Sequence, residues 1–165
     1  MLKRGVLPLN IKIHETALTS EVKETLIAMS EDWEQERSTY GYRKNNESDI
    51  EGNRVFLADC DVQTVGYLFG KTELSKNSGS IMPDGTEFFE VEELYVIPQM
   101  RSQGIGRALF EFAQNKLKEE GVPYIMLSTA TKDYKRILHF YIDEMGMDFW
   151  NARLFKKIGC CENHI

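Results

Sequence analysis

The chain has 165 residues, 42% of them hydrophobic and 28% charged, and a formal net charge of −6 at pH 7. That is enough for one domain with a core, argues against nucleic acid as a general partner, and leaves no apolar run as long as a membrane span. Cys60, Cys160 and Cys161 make no disulfide framework, and His14, His139 and His164 have no ligand spacing, so no metal is expected and a reducing cytoplasm is the expected compartment. The opening "MLKRGVLPLN" has no long apolar stretch and no small-residue cleavage site, so no signal peptide is expected.

"LNIKIHE" (Leu9 to Glu15) alternates as a half-buried strand does. Ser20 can cap a helix to about Met29, with Val22, Leu26, Ile27 and Met29 on its apolar face. Glu31 to Gly52 reads as helix plus loop, acidic and aromatic. "RVFLADC" and "TVGYLFGKTEL" read as two strands across a short Asp-containing turn, and "SKNSGSIMPDGTE" as a long loop turning at Pro83-Asp84-Gly85. "FFEVEELYVI" is a strong strand ended by Pro98. Ile105, Ala108, Leu109, Phe112, Ala113 and Leu117 line one face of a helix that Gly121 and Pro123 stop. "YIMLST" reads as a buried strand. Ile137, Leu138, Tyr141, Ile142 and Met145 form a further helix face, with Gly146 at its C-terminal stop. "DFWNARLFKKI" reads as two short strands or one bent one. With no repeat and no linker, the order predicts one mixed α/β (α+β) domain over residues 1–159 and a tail at 160–165.

"RSQGIGRALF" joins the strong strand to the amphipathic helix. A dinucleotide fingerprint would need a third glycine where Leu109 stands, and a phosphate loop would need Gly-Lys-Ser/Thr. Two readings stay open. One is a tight turn with two solvated arginines. The other is a pyrophosphate turn in which the amides of residues 101–106 and the helix dipole face an anion, Gly104 and Gly106 let it approach, and Arg101 and Arg107 add charge.

Arg101-Ser102-Gln103-Gly104-Ile105-Gly106 matches the signature Gln/Arg-x-x-Gly-x-Gly/Ala, and here the chain resembles the GCN5-related N-acetyltransferase (GNAT) superfamily. "LYVIP" looks like that family's central strand and "FYIDEMGM" like its last helix. The resemblance implies a mostly antiparallel, twisted sheet splayed around acetyl-CoA and flanked by helices. It implies that the amides of Arg101, Ser102, Gln103, Gly104, Ile105, Gly106 and Arg107 hold the pyrophosphate. The backbone at Tyr95 and Val96 would pair with pantetheine, and an amide near Val96 would polarise the thioester. Transfer to an amine would be direct, within a ternary complex. A non-catalytic acyl-CoA-binding module is the alternative.

Amine acetylation needs a base. The candidates are Glu90, Glu92 and Glu93. By strict alternation Glu90 and Glu92 share a face with Val96, and Glu93 points the other way. Family branches place their carboxylate at the Glu90 or Glu93 position. Glu90 ranks first, and Glu93 overtakes it if the strand bulges between them. The acid implied by the resemblance is Tyr141, but the family's spacing of Tyr, three residues, Gly lands on Ile142. A one-residue helix bulge would restore the register. From Ser30 to Gly52, seven acidic residues stand against three basic ones, with Trp33, Tyr40 and Tyr42 among them. A cationic amine acceptor is expected: a polyamine, an aminoglycoside, another basic small molecule or a peptide amine. No nucleic-acid or membrane partner is expected, and a homodimer stays open.

Overall fold

The structure, a computed structural model, describes residues 10–158. Leu9, at the start of the first predicted strand, and the predicted tail with Cys160, Cys161 and His164 lie outside them. The chain divides into two compact units, residues 1–134 and 135–165.

The first unit is a mixed α+β layer structure. Its sheet contains β1 (Ile11–Thr16), β2 (Arg54–Cys60), β3 (Gln63–Leu74), β4 (Glu87–Val96) and β5 (Tyr124–Leu127) in that spatial order. All neighbours are antiparallel except β4 and β5, which run parallel. Helix α1 (Ser20–Glu36) and the short α2 (Glu47–Ile50) cover one face. Leu26 and Met29 of α1 and Ile50 of α2 meet Val55, Leu57, Tyr67, Phe69 and Tyr95 there in one buried cluster. Helix α3 (Ile105–Glu119) covers the other face, where Phe112 packs edge-on against Phe56 and Phe56 against Phe89.

Several elements differ from expectation. Thr19, not Ser20, caps α1: its hydroxyl accepts from the Val22 amide at 3.2 Å. The helix also runs past Met29 to Glu36. No glycine or proline interrupts it, and Ser30 turns its hydroxyl back to the Ile27 carbonyl at 2.7 Å. It ends at Arg37 in the left-handed region, φ 50°. Strand β5 is half-buried along its length rather than buried, as suits a sheet edge.

The β3–β4 ladder decides the geometry of the site. Phe69 pairs with Glu93 and Gly70 with Val91, which leaves Glu92 as an extra residue in β4. Gly70 permits this bulge, because a Cβ there would collide with the Glu90 carbonyl oxygen.

In the second unit, α4 (Tyr134–Leu138, its first residue still in the first unit) continues into a π-helix, His139–Glu144. The Met145 amide reaches back five residues to the Phe140 carbonyl at 3.0 Å, and Gly146 follows with φ 72°. The strands expected in "DFWNARLFKKI" are absent: residues 148–158 form none. A strand needs a ladder partner, and a local run of residues does not provide one. Phe149, Trp150, Leu154, Phe155 and Ile158 stay exposed. Among the described residues no helix is long and apolar enough to cross a membrane.

Candidate active site

Cross-strand partners share a face. Tyr67, Phe69 and Lys71 alternate along β3 on the face that α1 and α2 cover, so their partners Tyr95, Glu93 and Glu90 lie there too. The bulge at Glu92 thus overturns the strict alternation. Glu90 and Glu93 share a face, whereas Val96 lies on the other: its partner Gly66 would bring a Cβ within 3.2 Å of Val96 Cγ2 and 3.3 Å of Leu109 Cδ1 of α3.

Glu93 is held from two sides. The Tyr67 hydroxyl donates to Oε2 at 2.7 Å, and Asn45 Nδ2 lies 3.0 Å from both oxygens. Asn45 is itself fixed, its amide donating to Ser30 Oγ at 2.9 Å. Burial pushes the Glu93 carboxyl above its ordinary range, and hydrogen bonds from Tyr67 and Asn45 pull it part of the way back. Tyr42 lies close by. Burial and then the Glu93 charge hold its phenol well above the usual value, yet its hydroxyl is buried without a hydrogen bond of proper geometry. Glu93 lines an open cavity of about 340 Å³ together with Asn45, Asp49, Glu51, Lys71 and Glu92. A second one, about 510 Å³, is bounded by Glu34, Arg37, Thr39, Tyr42 and Lys132. Beside it, Tyr40 and Ala130, and Lys132 and Ser38, pair through their backbones.

Glu90 is half-buried. Its carboxyl is pushed up by burial and by the charges of Glu92 and Glu73, with Lys71 opposing. Lys71, across the ladder, directs its ammonium to Glu73 at 3.3 Å and Glu92 at 3.8 Å.

β4 pairs with β5 only from Phe88 to Val91, yet β4 runs on to Val96. Beyond Val91, where β5 ends at Leu127, the outer edge of β4 has no further strand partner among the described residues. The Tyr95 side chain is core, 3% exposed, so only its backbone is available. After Val96, Pro98–Met100 forms a 3-10 turn and the chain enters α3 through Ser102 (φ 60°) and Gly104 (φ 82°). Two left-handed residues so close curl the backbone into a concavity of amides, and the first amides of α3 have no partner within the helix. No acidic residue lies between Pro98 and Arg107. Ile105 is 1% exposed, so its side chain anchors the helix while its amide stays in the turn. Gln103 Nε2 reaches back to the Gln99 carbonyl at 3.3 Å. The Arg101 guanidinium is turned away from the concavity onto Glu36.

The "Acetyltransferase (GNAT) family" model matches residues 19–147. The chain belongs to this family. Its members use acetyl-CoA, and the left-handed, amide-rich, acid-free turn fits a pyrophosphate. The protein is an acetyl-CoA-dependent N-acetyltransferase. None of the curated proteins compared matches it. Among solved structures it resembles an aminoglycoside acetyltransferase, meta-AAC0020, from an uncultured soil metagenomic sample in complex with trehalose. That match has TM-score 0.66 and 18% identity, covering 91% of this chain and 97% of the other. A transcriptional regulator from Bacillus halodurans C-125 matches with TM-score 0.65 and 22% identity over 90% and 99%. AAC(6')-Iy in complex with the bisubstrate analog CoA-S-monomethyl-acetylneamine matches with TM-score 0.61 and 14% identity over 91% and 99%. At such identities these neighbours establish the shared fold.

Among the residues that sequence reasoning missed, Asn45, Tyr67 and Glu36 stand out. Asn45 and Tyr67 come from a loop and a strand with no motif of their own, and only the fold brings them to Glu93.

Proposed function

We propose that the protein transfers the acetyl group of acetyl-CoA directly to a cationic primary amine within a ternary complex, with Glu93 as general base. The observation that carries this reading is the bulge at Glu92, which puts a half-buried, hydrogen-bonded carboxylate beside a cavity. An alkylammonium has an ordinary pKa near 10 and must lose a proton before it attacks. Burial makes Glu93 a stronger base than a solvated glutamate, while Tyr67 and Asn45 keep its ionised form orientated. Asp49, Glu51, Glu92 and Glu93 outnumber Lys71 in the cavity lining, with Arg43 and Lys23 pairing to Asp49 and Glu51, and this balance favours a cation. The fold neighbour meta-AAC0020, an aminoglycoside acetyltransferase, supports the same acceptor class.

The amides of residues 102–107 hold the pyrophosphate in this reading, the Arg101 amide being engaged by the Pro98 carbonyl at 3.3 Å, and the Tyr95–Val96 backbone meets the pantetheine. Tyr141 remains the candidate acid on the family resemblance. Burial raises its phenol above the ordinary value, which keeps it protonated and able to donate. We take residues 1–159 as one catalytic domain acting in the cytoplasm, since the family match runs across both units and the described cysteine, Cys60, is a free thiol. The non-catalytic alternative rests on the register of Tyr141; a π-helix at Tyr141 supports the catalytic reading, and the Gly146 amide bonded to the Ile142 carbonyl supports the alternative.

The test is a thermal shift with acetyl-CoA followed by thiol release over a panel of amines at low and high salt. Cationic amines should be preferred, with a KM that rises with salt. Preference for neutral or anionic amines overturns the acceptor class. Binding without thiol release from any amine selects the non-catalytic module.

A further inference from the structure

Glu36, the last residue of α1, takes no part in the mechanism above. Its carboxylate receives Arg101 Nη1 on Oε2 at 2.9 Å and Nη2 on Oε1 at 2.7 Å. The Tyr95 hydroxyl also donates to Oε1, at 2.7 Å. The third donor position of the same guanidinium, Nε, donates to the Val96 carbonyl at 2.8 Å. The group lies 5.3 Å from the Tyr95 ring centroid, and a row of rings continues from there to Trp33 at 5.2 Å and on to Tyr42 at 4.3 Å.

An arginine opening an anion-binding turn would be expected to face the anion. This one is committed elsewhere through a planar fork that matches a carboxylate. Its contacts tie together the end of α1, the end of β4 and the start of the turn. The end of β4 is the sensitive one. The Ile97 amide donates to the Val65 carbonyl of β3 at 2.9 Å, so the neighbouring Val96 turns its own N–H and C=O to the opposite edge, beyond the end of β5. Arg101 occupies that carbonyl and so fixes the orientation of the strand end at which the Val96 amide is presented.

We infer that Glu36 is a positioning residue for acetyl transfer: by clamping Arg101 onto the Val96 carbonyl, it keeps the Val96 amide aimed at the acetyl carbonyl of acetyl-CoA. The turn amides, rather than the Arg101 side chain, then hold the pyrophosphate. The inference rests on the acetyl-CoA site proposed above. Removing Glu36 therefore lowers catalysis without weakening cofactor binding, because a released guanidinium brings positive charge towards the phosphates.

The test is infrared spectroscopy of acetyl-CoA labelled with ¹³C at the acetyl carbonyl, bound without acceptor, together with dissociation constants and steady-state kinetics. In the unaltered protein the bound carbonyl stretch should fall below that of free acetyl-CoA, as expected for a polarised carbonyl. In Glu36→Gln and in Arg101→Lys it should return most of the way to the free value. kcat should drop at least tenfold, and the dissociation constant should change by less than about threefold, which is under 0.7 kcal/mol. Arg101→Lys is the sharper variant, since lysine keeps the charge but lacks the Nε donor and the fork. If Arg101→Lys matches the unaltered protein in stretch and kcat, charge alone matters and the proposal fails. It also fails if Glu36→Gln keeps the lowered stretch, or if either variant loses more than tenfold in affinity with kcat intact. Failure of the unaltered protein to bind acetyl-CoA brings down the site itself, and the inference with it.

Discussion

Glu93 and Glu90 sit three residues apart on one face of one strand, but their surroundings differ. Glu93 is fixed by a tyrosine and an asparagine and borders a cavity, whereas Glu90 faces the charges of Glu92 and Glu73. Glu93→Gln should reduce turnover by roughly 10²-fold or more, the usual scale for a general base. The loss should shrink at high pH, where more of the amine is already neutral. The acid limb of kcat/KM should lie above the ordinary glutamate value of about 4.3 and disappear in the variant. If Glu90→Gln is instead the variant that loses turnover while Glu93→Gln keeps it, the assignment is reversed. Glu90 makes a separate prediction about stability. Its pKa is raised by folding, so the folded state holds the proton more tightly than the unfolded one. Stability is therefore lost as pH climbs from the unfolded value through the folded one. Glu90→Gln should raise the melting temperature at pH 7, and the gain should vanish below pH ~4, where both states are protonated. A gain that is the same at both pH values would contradict this.

Two single-residue irregularities set the chemistry at the scale of elements. One is the bulge in β4. Gly70→Ala places a methyl against the Glu90 carbonyl, and the strand must shift or the bulge must move. A loss of about 1–3 kcal/mol in denaturant unfolding is expected, the cost of overpacking, with turnover falling as Glu93 is displaced. Unchanged stability and turnover would show that the bulge tolerates a side chain there. The other irregularity is the π-helix at His139–Glu144. Its five-residue hydrogen bond spans Phe140 and Met145 and encloses Tyr141, while the Gly146 amide donates to the Ile142 carbonyl at 3.2 Å. Tyr141→Phe should reduce kcat by about 10²-fold, at the low end for proton transfer by a side chain. Moving the hydroxyl, as Tyr141→Phe with Ile142→Tyr, should give no rescue. Recovery in the double variant would mean that the usual family spacing operates after all.

The first unit as a whole separates charge by location. The chain is acidic overall, yet the turn from Pro98 to Arg107 has no acidic residue, while carboxylates crowd the cavity beside Glu93. On the proposed function, an anionic donor and a cationic acceptor would find opposite surroundings at the two places. Gly104 holds the turn open with φ 82°, where a β-branched residue is strained and its side chain would crowd the amides. Gly104→Val should weaken acetyl-CoA by at least an order of magnitude, about 1.4 kcal/mol, in calorimetry. An unchanged dissociation constant in the folded variant would remove the turn from the site.

Local chemistry was enough to read the turn, the strands β2 to β4 and helix α3. Arg101–Gly106 is contiguous, and alternation or 3.6-residue periodicity is a property of neighbours along the chain. The mixed fold followed from the order of those elements. Tertiary structure decided that Glu93 shares a face with Glu90 and borders a cavity, because one extra residue in β4 inverts every side chain beyond it, and its position depends on the partner strand at Gly70. It also decided the partners of Glu93 and Arg101. Asn45, Tyr67 and Glu36 lie 48, 26 and 65 residues from the groups they hold, distances over which no sequence pattern reaches. The C-terminal segment shows the converse. The sequence there reads as strands, but a strand exists only where another backbone accepts its hydrogen bonds, and residues 148–158 form none.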